Sequence, residues 1–350
     1  MLRSVSLFKV GDTVASDEVP SIVTAENVAA LAGVSRWTVN RAFKQDASIS
    51  LKSREKVMAA AESLGYVPDL LAASLASDQS NLVSLLVDDF ANPHKLVMME
   101  RLTRILREQG WDTLLVNTQG QDDASAALLK SSQRRVDAAV LIGSQFTDQI
   151  LSTALHTQRV RKLVVFARAS ERAGTISICC DDIAAMNEIT RYVLEKQYQR
   201  PLFVAGPQTR SAHLLRKETF LSLWREAKGV DANCTVVGSY DPVLAYRHVY
   251  TYLAKLKSSD WPDILVCEND SLAMGAIDAI RYEFNLSVPE DIAVTGFDDV
   301  PQASSPHYKL TTYRQPISKM AEALVSVLRG NKEPSKLDRF LGQIVKRESA

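Results

Sequence analysis

Residues 24–75 read TAENVAALAGVSRWTVNRAFKQDASISLKSREKVMAAAESLGYVPDLLAASL, and this stretch organises the chain. It opens with two short amphipathic helices around a tight Gly-Val turn. Thr24 is placed to cap the first helix by accepting from a backbone N–H of its first turn. Val28, Ala29, Leu31 and Ala32 then form a small apolar face. Gly33 ends the helix, because it enters the left-handed conformation without a Cβ clash. Ser35 caps the second helix, whose Val39, Ala42 and Phe43 turn back on the first. Small alanines let the two helices approach closely at a steep angle, the geometry of a helix-turn-helix. A third helix follows, with Ser50 as cap, Val57, Ala60, Ala61 and Leu64 at helical spacing, and Gly65 as terminator.

The polar face of the second helix carries the chemistry. Arg36, Trp37, Thr38, Asn40 and Arg41 occupy its start and middle. Arginine binds a guanine edge bidentately or pairs with phosphate, and hydroxyls suit phosphate oxygens. From Gly33 to Lys56 the cations Arg36, Arg41, Lys44, Lys52, Arg54 and Lys56 face only Asp46 and Glu55, within a chain whose net charge is zero. A compact three-helix unit with local positive charge reads as a nucleic-acid surface.

AGVSRWTVNRAF followed by ISLKSREKVMAAAESLGYVPDLLAASLAS resembles the DNA-binding head of the lactose-repressor (LacI/GalR) family. The resemblance implies that the second helix enters the major groove of a pseudo-palindromic operator. By position, Arg36, Trp37 and Arg41 fall where the family reads bases. Ser35, Thr38, Asn40, Ser50 and Ser53 fall where it contacts phosphates. Trp37 and Asn40 depart from the small polar residues and Ser common there, so no operator sequence carries over. After Pro68 the family has a hinge helix that orders on the operator. There Leu75 takes the position of a leucine wedged into the minor groove and Ala72 that of close helix packing. Asp69 and Ala73 stand where the family often has Asn and a polar or basic residue, which weakens the phosphate contacts of this segment.

With 350 residues, 46% hydrophobic and 23% charged, the chain is a globular protein, neither disordered nor fibrous. No apolar run approaches the ~18 residues of a membrane span. Residues 1–20 lack the apolar core and small-residue cleavage site of a secretory signal and read as a flexible tail. Cys179, Cys180, Cys234 and Cys267 have neither metal-ligand spacing nor a disulfide pattern, so reduced thiols in the cytoplasm are expected. No HExxH, GxSxG or P-loop occurs, and no metal or cofactor is implied.

From Asn81 onward, apolar runs of strand length alternate with helical stretches. LVSLLV (from Leu82), TLLVN (from Thr113), DAAVLIG (from Asp137) and KLVVFAR (from Lys162) form one set. PLFVAG (from Pro201), CTVVGS (from Cys234), DILVCEN (from Asp263) and DIAVTGFDD (from Asp291) form a second. Continuous apolar strands between helices mean parallel sheets covered on both faces, and two sets predict two subdomains. Ligands of such sheets bind beyond the carboxyl ends of the strands. The residues there include Asp88-Asp89-Phe90, Arg168, Tyr240, Glu268-Asn269-Asp270 and Asp298-Asp299. Carboxylates, amides, an arginine and aromatics suit a polyol first and a nucleobase second. Asp181 and Asp182 start a helix and are read as capping groups. Asp298 and Asp299 could form a carboxylate pair for acid–base work, but no nucleophile, histidine or metal motif lies beside them in sequence.

NLVSLLVDDFANP, ENDSLAMGAIDAI and VPEDIAVTGFDDVPQASSPHYKLTTYRQP are similar to the effector-binding core of the same family, which resembles periplasmic sugar-binding proteins. The resemblance places Arg216, Asn269 and Asp298 at the main effector contacts, Tyr240 at an aromatic stacking position, and Ile317 near a ring-contact position. It also places Phe90 and Arg168 at further effector positions.

The expected fold is α/β: a small all-α helix-turn-helix head plus a two-subdomain, periplasmic-binding-protein-like core of parallel sheets. The head spans 21–67 and the hinge and linker 68–80. The core spans 81–350, with one subdomain near 81–179 and 317–330 and the other near 180–313 and 331–350. The expected function is a repressor, not an enzyme, that binds double-stranded operator DNA as a homodimer under control of a small sugar-like effector. A solute-binding protein of the transport class is the alternative; it explains the core but not the head.

Overall fold

The structure is a computed structural model that describes residues 23–44, 47–69, 79–118, 121–143, 146, 151–152, 160–170, 172–207, 214–330 and 337–350. It divides into two compact units, 1–78 and 79–350. The tail and the hinge positions Ala72 and Leu75 lie outside the described residues.

In the first unit, α1 (Ala25–Ala32), α2 (Arg36–Ala42) and α3 (Leu51–Leu64) enclose a small core of Val28, Ala29, Val39, Ala42, Val57, Ala60 and Ala61. Ser35 and Ser50 cap α2 and α3 by accepting from Thr38 N and Ser53 N. Gly33 ends α1 at φ 65°, as its placement in the turn requires. Two local expectations change. Thr24 gives its N–H and hydroxyl to Asn27 Oδ1, at 2.9 and 2.8 Å. Leu31 is 57% exposed and not part of the packed face. Phe43 closes the core edge-on to Tyr66 instead, 5.7 Å between centroids.

The second unit holds two parallel sheets. The first has the order β11-β5-β4-β3-β1-β2: β1 (Leu82–Val87), β2 (Asp112–Asn117), β3 (Ala138–Ile142), β4 (Leu163–Phe166), β5 (Thr175–Cys180) and β11 (Leu337–Phe340). Its register sets Leu85 between Leu115 and Val140. Helix α4 (Pro93–Glu108) and α10 (Ile317–Leu328) cover one face through Met98, Leu102, Met320 and Leu324, and α5 (Gln121–Gln133) the other through Ala127 and Leu128. The second sheet has the order β7-β6-β8-β9: β6 (Pro201–Ala205), β7 (Asn233–Val236), β8 (Ile264–Cys267) and β9 (Ala293–Thr295). Here α6 (Asp182–Glu195) and α7 (Arg216–Lys228) pack on one face, and α8 (Pro242–Leu253) and α9 (Asp270–Glu283) on the other. The fully buried β3, β4, β6, β8 and β9 are the continuous apolar runs of the sequence.

The chain passes between the sheets three times, near 180–182, 314–317 and 340–343. β10 (Thr312–Arg314) and β12 (Gln343–Val345) pair antiparallel beside β9. The expected second subdomain over 331–350 is corrected by β11. Residues Leu337–Phe340 pair with Ser177–Cys180 on the first sheet, and only β12 and the C-terminal residues beyond it return to the second. The three crossings touch: Asp181 N–H donates to Phe340 O at 2.9 Å, and Gly342 N–H to Tyr313 Oη at 3.1 Å.

Candidate functional site

Two surfaces carry the chemistry, one in each unit. In the first unit, Ser35, Arg36, Trp37 and Asn40 are exposed and Thr38 and Arg41 partly so, all on the face of α2 opposite its buried Val39 and Ala42. Trp37 is 65% exposed, a large aromatic left mostly open to solvent. The Arg41 guanidinium stacks 4.3 Å above the Trp37 ring and donates to Ser48 O. Arg36 pairs with Glu26 at 2.8 Å, both well exposed, so the pair is weak and easily exchanged for a phosphate. Ser50 and Ser53 share a hydroxyl hydrogen bond at the start of α3. Arg54 differs from its neighbours. It donates to Ala42 O, Lys44 O and Ala47 O, and so it clamps the loop between α2 and α3.

In the second unit, the carboxyl ends of the two sheets face a cavity of about 40 Å³. That is room for about three waters and not for a sugar, so the cleft is nearly shut. Arg168, Arg216, Tyr240, Asn269 and Asp298 all line it. Phe90 and Ile317 do not: Phe90 packs at the edge of the first sheet's core, and Ile317 sits inside that core at the start of α10. Asn92, His94, Lys95 and Gln315 also line the cavity and were not singled out from sequence. A signal for two of them existed. His94, Met98, Leu102 and Leu106 form one buried i, i+4 stripe on α4, and its first position holds an ionisable ring, with Lys95 buried beside it.

Arg216 is the hub. Its Nε donates to Asp182 Oδ1 and its Nη1 to Glu268 O, both at 2.9 Å. Asp298 Oδ1 stands 3.9 Å away, and the Phe297 ring lies 3.5 Å beneath the guanidinium. Burial opposes the charge, but Asp182 and Asp298 outweigh it and raise the pKa, so Arg216 is a fixed cation. Asp182, read from sequence as a capping group, is thereby corrected. Asp181 is the cap, accepting from Ala184 N at 3.0 Å, whereas Asp182 holds Arg216.

Asp298 and Asp299 also separate. Asp299 is clamped by Arg314 Nε and Arg347 Nη2, each at 2.6 Å, and serves the scaffold. Asp298 adopts φ 119°, a backbone conformation costly for a side chain with Cβ. Its N–H donates to Tyr313 O at 2.8 Å, which holds it there, and its carboxylate accepts from Gln315 Nε2 at 2.7 Å. Gln315 Nε2 also approaches His94 Nε2 at 3.2 Å. Burial lowers the His94 pKa, more than nearby Asp298 raises it, so the ring is neutral at pH 7. Accepting at Nε2 puts its proton on Nδ1. His94 Nδ1 and Gln315 Oε1 have no partner among the described residues, so the wall keeps an open donor and an open acceptor that ligand hydroxyls can meet.

Besides the His94–Gln315–Asp298 chain, two contacts among the described residues bridge the sheets across the cavity. Arg168 Nη2 donates to Tyr240 Oη at 3.3 Å, and Tyr240 donates onward to Glu268 Oε2 at 3.0 Å. Ser271 Oγ reaches Asn92 Oδ1 at 3.5 Å. Asn269 lines the cavity while its Oδ1 caps α9 through Leu272 N. Burial pushes the Tyr240 pKa up, so its phenol stays protonated. All four cysteines are free, and burial pushes the Cys179 thiol up to about 12. Among the described residues, no group of three or more His, Cys, Asp or Glu could hold a metal ion, and no helix is long and apolar enough to cross a membrane.

Residues 24–69 match the family described as bacterial regulatory proteins, lacI family, and residues 190–350 match a periplasmic binding protein-like domain. The ribose operon repressor of Escherichia coli (strain K12) is 28% identical over 310 residues, 88% of this chain and 92% of that protein. The HTH-type transcriptional repressor PurR of Proteus mirabilis (strain HI4320) is 28% identical over 332 residues, 94% of this chain and 93% of that protein. Among solved structures, a Lac repressor bound to ONPG in its repressed state aligns with a TM-score of 0.79 at 22% identity, covering 94% of this chain and 99% of the other. A transcriptional regulator CelR–cellobiose complex aligns at 0.66 with 24% identity, covering 94% and 100%. These two likenesses concern the fold.

Proposed function

The chain belongs to the lacI family of bacterial regulatory proteins, and from that premise we propose that it is a repressor that binds operator DNA through α2 and answers to a small polyol bound in the cleft of its second unit. The observation that carries this reading is the pairing of two surfaces in one chain: an exposed aromatic and cationic helix face, and a buried polar cleft at the carboxyl ends of two parallel sheets. Arg36, Trp37 and Arg41 read base edges, while Ser35, Thr38, Asn40, Ser50 and Ser53 hold phosphates. In the hinge, Leu75 wedges into the minor groove when DNA is bound, and Ala72 lets the hinge helix pack closely on its dimer mate. The protein acts as a homodimer on a two-fold operator, in the cytoplasm, and catalyses no reaction.

In the cleft, Asp298 accepts ligand hydroxyls and Arg216 and Asn269 donate to the same ligand from the second sheet, while Arg168, after β4, faces it from the first, so one small molecule touches both sheets. A ligand shifts the DNA affinity only as far as it binds the open and closed cleft differently. The test is selection of DNA fragments by the full chain, followed by titration of that complex with candidate polyols. Specific retention of fragments carrying an inverted repeat, released or tightened by a polyol, is the expected result. Equal retention of all fragments would sink the regulator reading.

A further inference from the structure

The cleft holds cationic hydrogen-bond donors that its own residues leave partly unengaged. Of the groups lining it, Lys95, Arg168 and Arg216 are cations and only Asp298 is an anion. Arg216 is satisfied by Asp182 and Glu268 O. The other two are not. Lys95 is 6% exposed; its ammonium makes no hydrogen bond among the described residues and only a long ion pair, 3.9 Å to Oδ1 of the buried Asp88. Arg168 is 7% exposed and makes one hydrogen bond, to a phenol oxygen, leaving its other N–H donors unused. Burial depresses the Lys95 pKa most, Asp88 opposes that shift, and Arg168 adds to it, so the two cations stand close together. A buried ammonium without a hydrogen bond and a buried guanidinium with spare donors leave bonding capacity unmet in the free protein. Such groups persist where a ligand supplies what is missing.

The backbone adds to the same field. Lys95 is the third residue of α4, a helix of 16 residues whose first turn also sends Asn92 and His94 to the cavity wall. The positive end of the helix dipole therefore points where the two cations stand. The far side of the cavity is different in kind, with Asp298 and Asn269 serving hydroxyls.

We propose that the effector is an anionic polyol, a sugar acid or a sugar phosphate, whose acid group sits between Lys95 and Arg168 while its hydroxyls meet Asp298, Asn269 and His94. This rests on the cleft being the effector site. A carboxylate or phosphate oxygen accepts from Lys95 Nζ and from the unused N–H groups of Arg168. To do so it draws Arg168 away from Tyr240, undoing one of the contacts that bridge the sheets. Binding the acid group and releasing the bridge are then one event. A neutral sugar brings no charge to these donors and binds more weakly for that reason.

The test is calorimetric titration of the full chain with matched triplets: D-glucose, D-gluconate and D-glucose 6-phosphate; D-ribose, D-ribonate and D-ribose 5-phosphate; D-galactose, D-galacturonate and D-galactose 1-phosphate. At least one charged member should bind about ten-fold or more tighter than its neutral partner. Lys95→Met and Arg168→Gln should each weaken that ligand about ten-fold or more. Binding confined to carboxylates, or to phosphates, identifies the acid group. Neutral sugars binding as tightly as their charged partners, no charged member binding at all, or a charged ligand indifferent to both substitutions would each overturn the proposal. The retention of inverted-repeat DNA is read separately, so the regulator assignment stands or falls independently.

Discussion

Asp181 and Asp182 stand side by side at one helix start, yet the structure gives them different work, and truncating each to alanine should separate them. Asp181→Ala removes a cap that accepts from Ala184 N, which costs about 1 kcal/mol. Asp182→Ala removes one partner of an ion pair whose side chains are both buried. Breaking such a pair costs roughly 3–5 kcal/mol, because the remaining charge is stranded. Arg216 keeps Glu268 O at 2.9 Å, the Phe297 face at 3.5 Å and Asp298 at 3.9 Å. These partial compensations place the loss near the lower bound, about 3 kcal/mol. The two variants should therefore differ by about 2 kcal/mol in urea unfolding followed by near-ultraviolet circular dichroism. Asp182→Asn, which keeps an oxygen for Arg216 Nε, should fall between them, since a neutral acceptor is worth about 1 kcal/mol less than a charged one. Freed from Asp182, the guanidinium also moves onto Asp298 and takes the carboxylate that ligand hydroxyls need. Ligand affinity of Asp182→Ala should fall with its stability. An Asp182→Ala protein no less stable than Asp181→Ala would show that Asp182 is a cap after all.

Three other outcomes are expected. Arg41→Ala should lower affinity for the selected DNA by roughly 1–3 kcal/mol at one base pair without unfolding the head. Arg54→Ala should destabilise the head itself, and equal melting of the two variants would contradict that division. Gly206→Ala would set a Cβ 2.1 Å from the Tyr240 ring, so the ring must leave its place between Arg168 and Glu268. A stability loss of about 1–3 kcal/mol is expected in chemical denaturation, and none would mean that Tyr240 shifts freely. Asp270 is buried, accepts from Val300 N at 2.9 Å and Thr312 Oγ1 at 2.6 Å, and has its pKa raised well above the ordinary value by burial and then by Asp298. A carboxyl whose folded pKa is raised destabilises the fold as pH climbs from about 3.9 towards that raised value, because the unfolded chain ionises first. Asp270→Asn keeps an acceptor for Val300 and turns a donor to Thr312. It should flatten the melting temperature between about pH 4 and about pH 7, and curves parallel to the parent's would refute the assignment.

The head was legible almost residue by residue, because caps, a glycine turn and small apolar spacing are local signals. The two parallel sheets were legible through their fully buried strands. Two strands of the first sheet escaped: TISICC of β5, fully buried but with Thr175 and Ser177 interrupting its apolar run, and β11. Leu337–Phe340 reads LDRF, and its place at the sheet edge, paired only to β5, does not demand a continuous apolar run. That is why the return to the first sheet was missed. In the cleft, Asn269, Tyr240, Asp298 and Arg168 were found because they follow strands, where side chains converge, and Arg216 through the family resemblance. Phe90, also at a strand end, and Ile317, placed by the resemblance, are apolar and pack in the core of the first sheet instead. His94 and Lys95 were overlooked because ionisable residues at a helix start pass for solvated ones. Only the packing of α4 against the sheet shows them buried.

The three crossings lie shoulder to shoulder, and their number governs how the halves move. One tether between two rigid bodies permits rotation about every axis, and two still permit twisting about the line joining them. Three adjacent tethers, bound to each other from Asp181 to Phe340 and from Gly342 to Tyr313, leave little beyond bending in one plane. Gly342 keeps this row tight, since a Cβ there would stand 2.1 Å from Arg314 O. The cleft therefore opens like a book at its spine, and the work a ligand does at the Arg168–Tyr240 contact is delivered along a single coordinate instead of being dissipated in torsion.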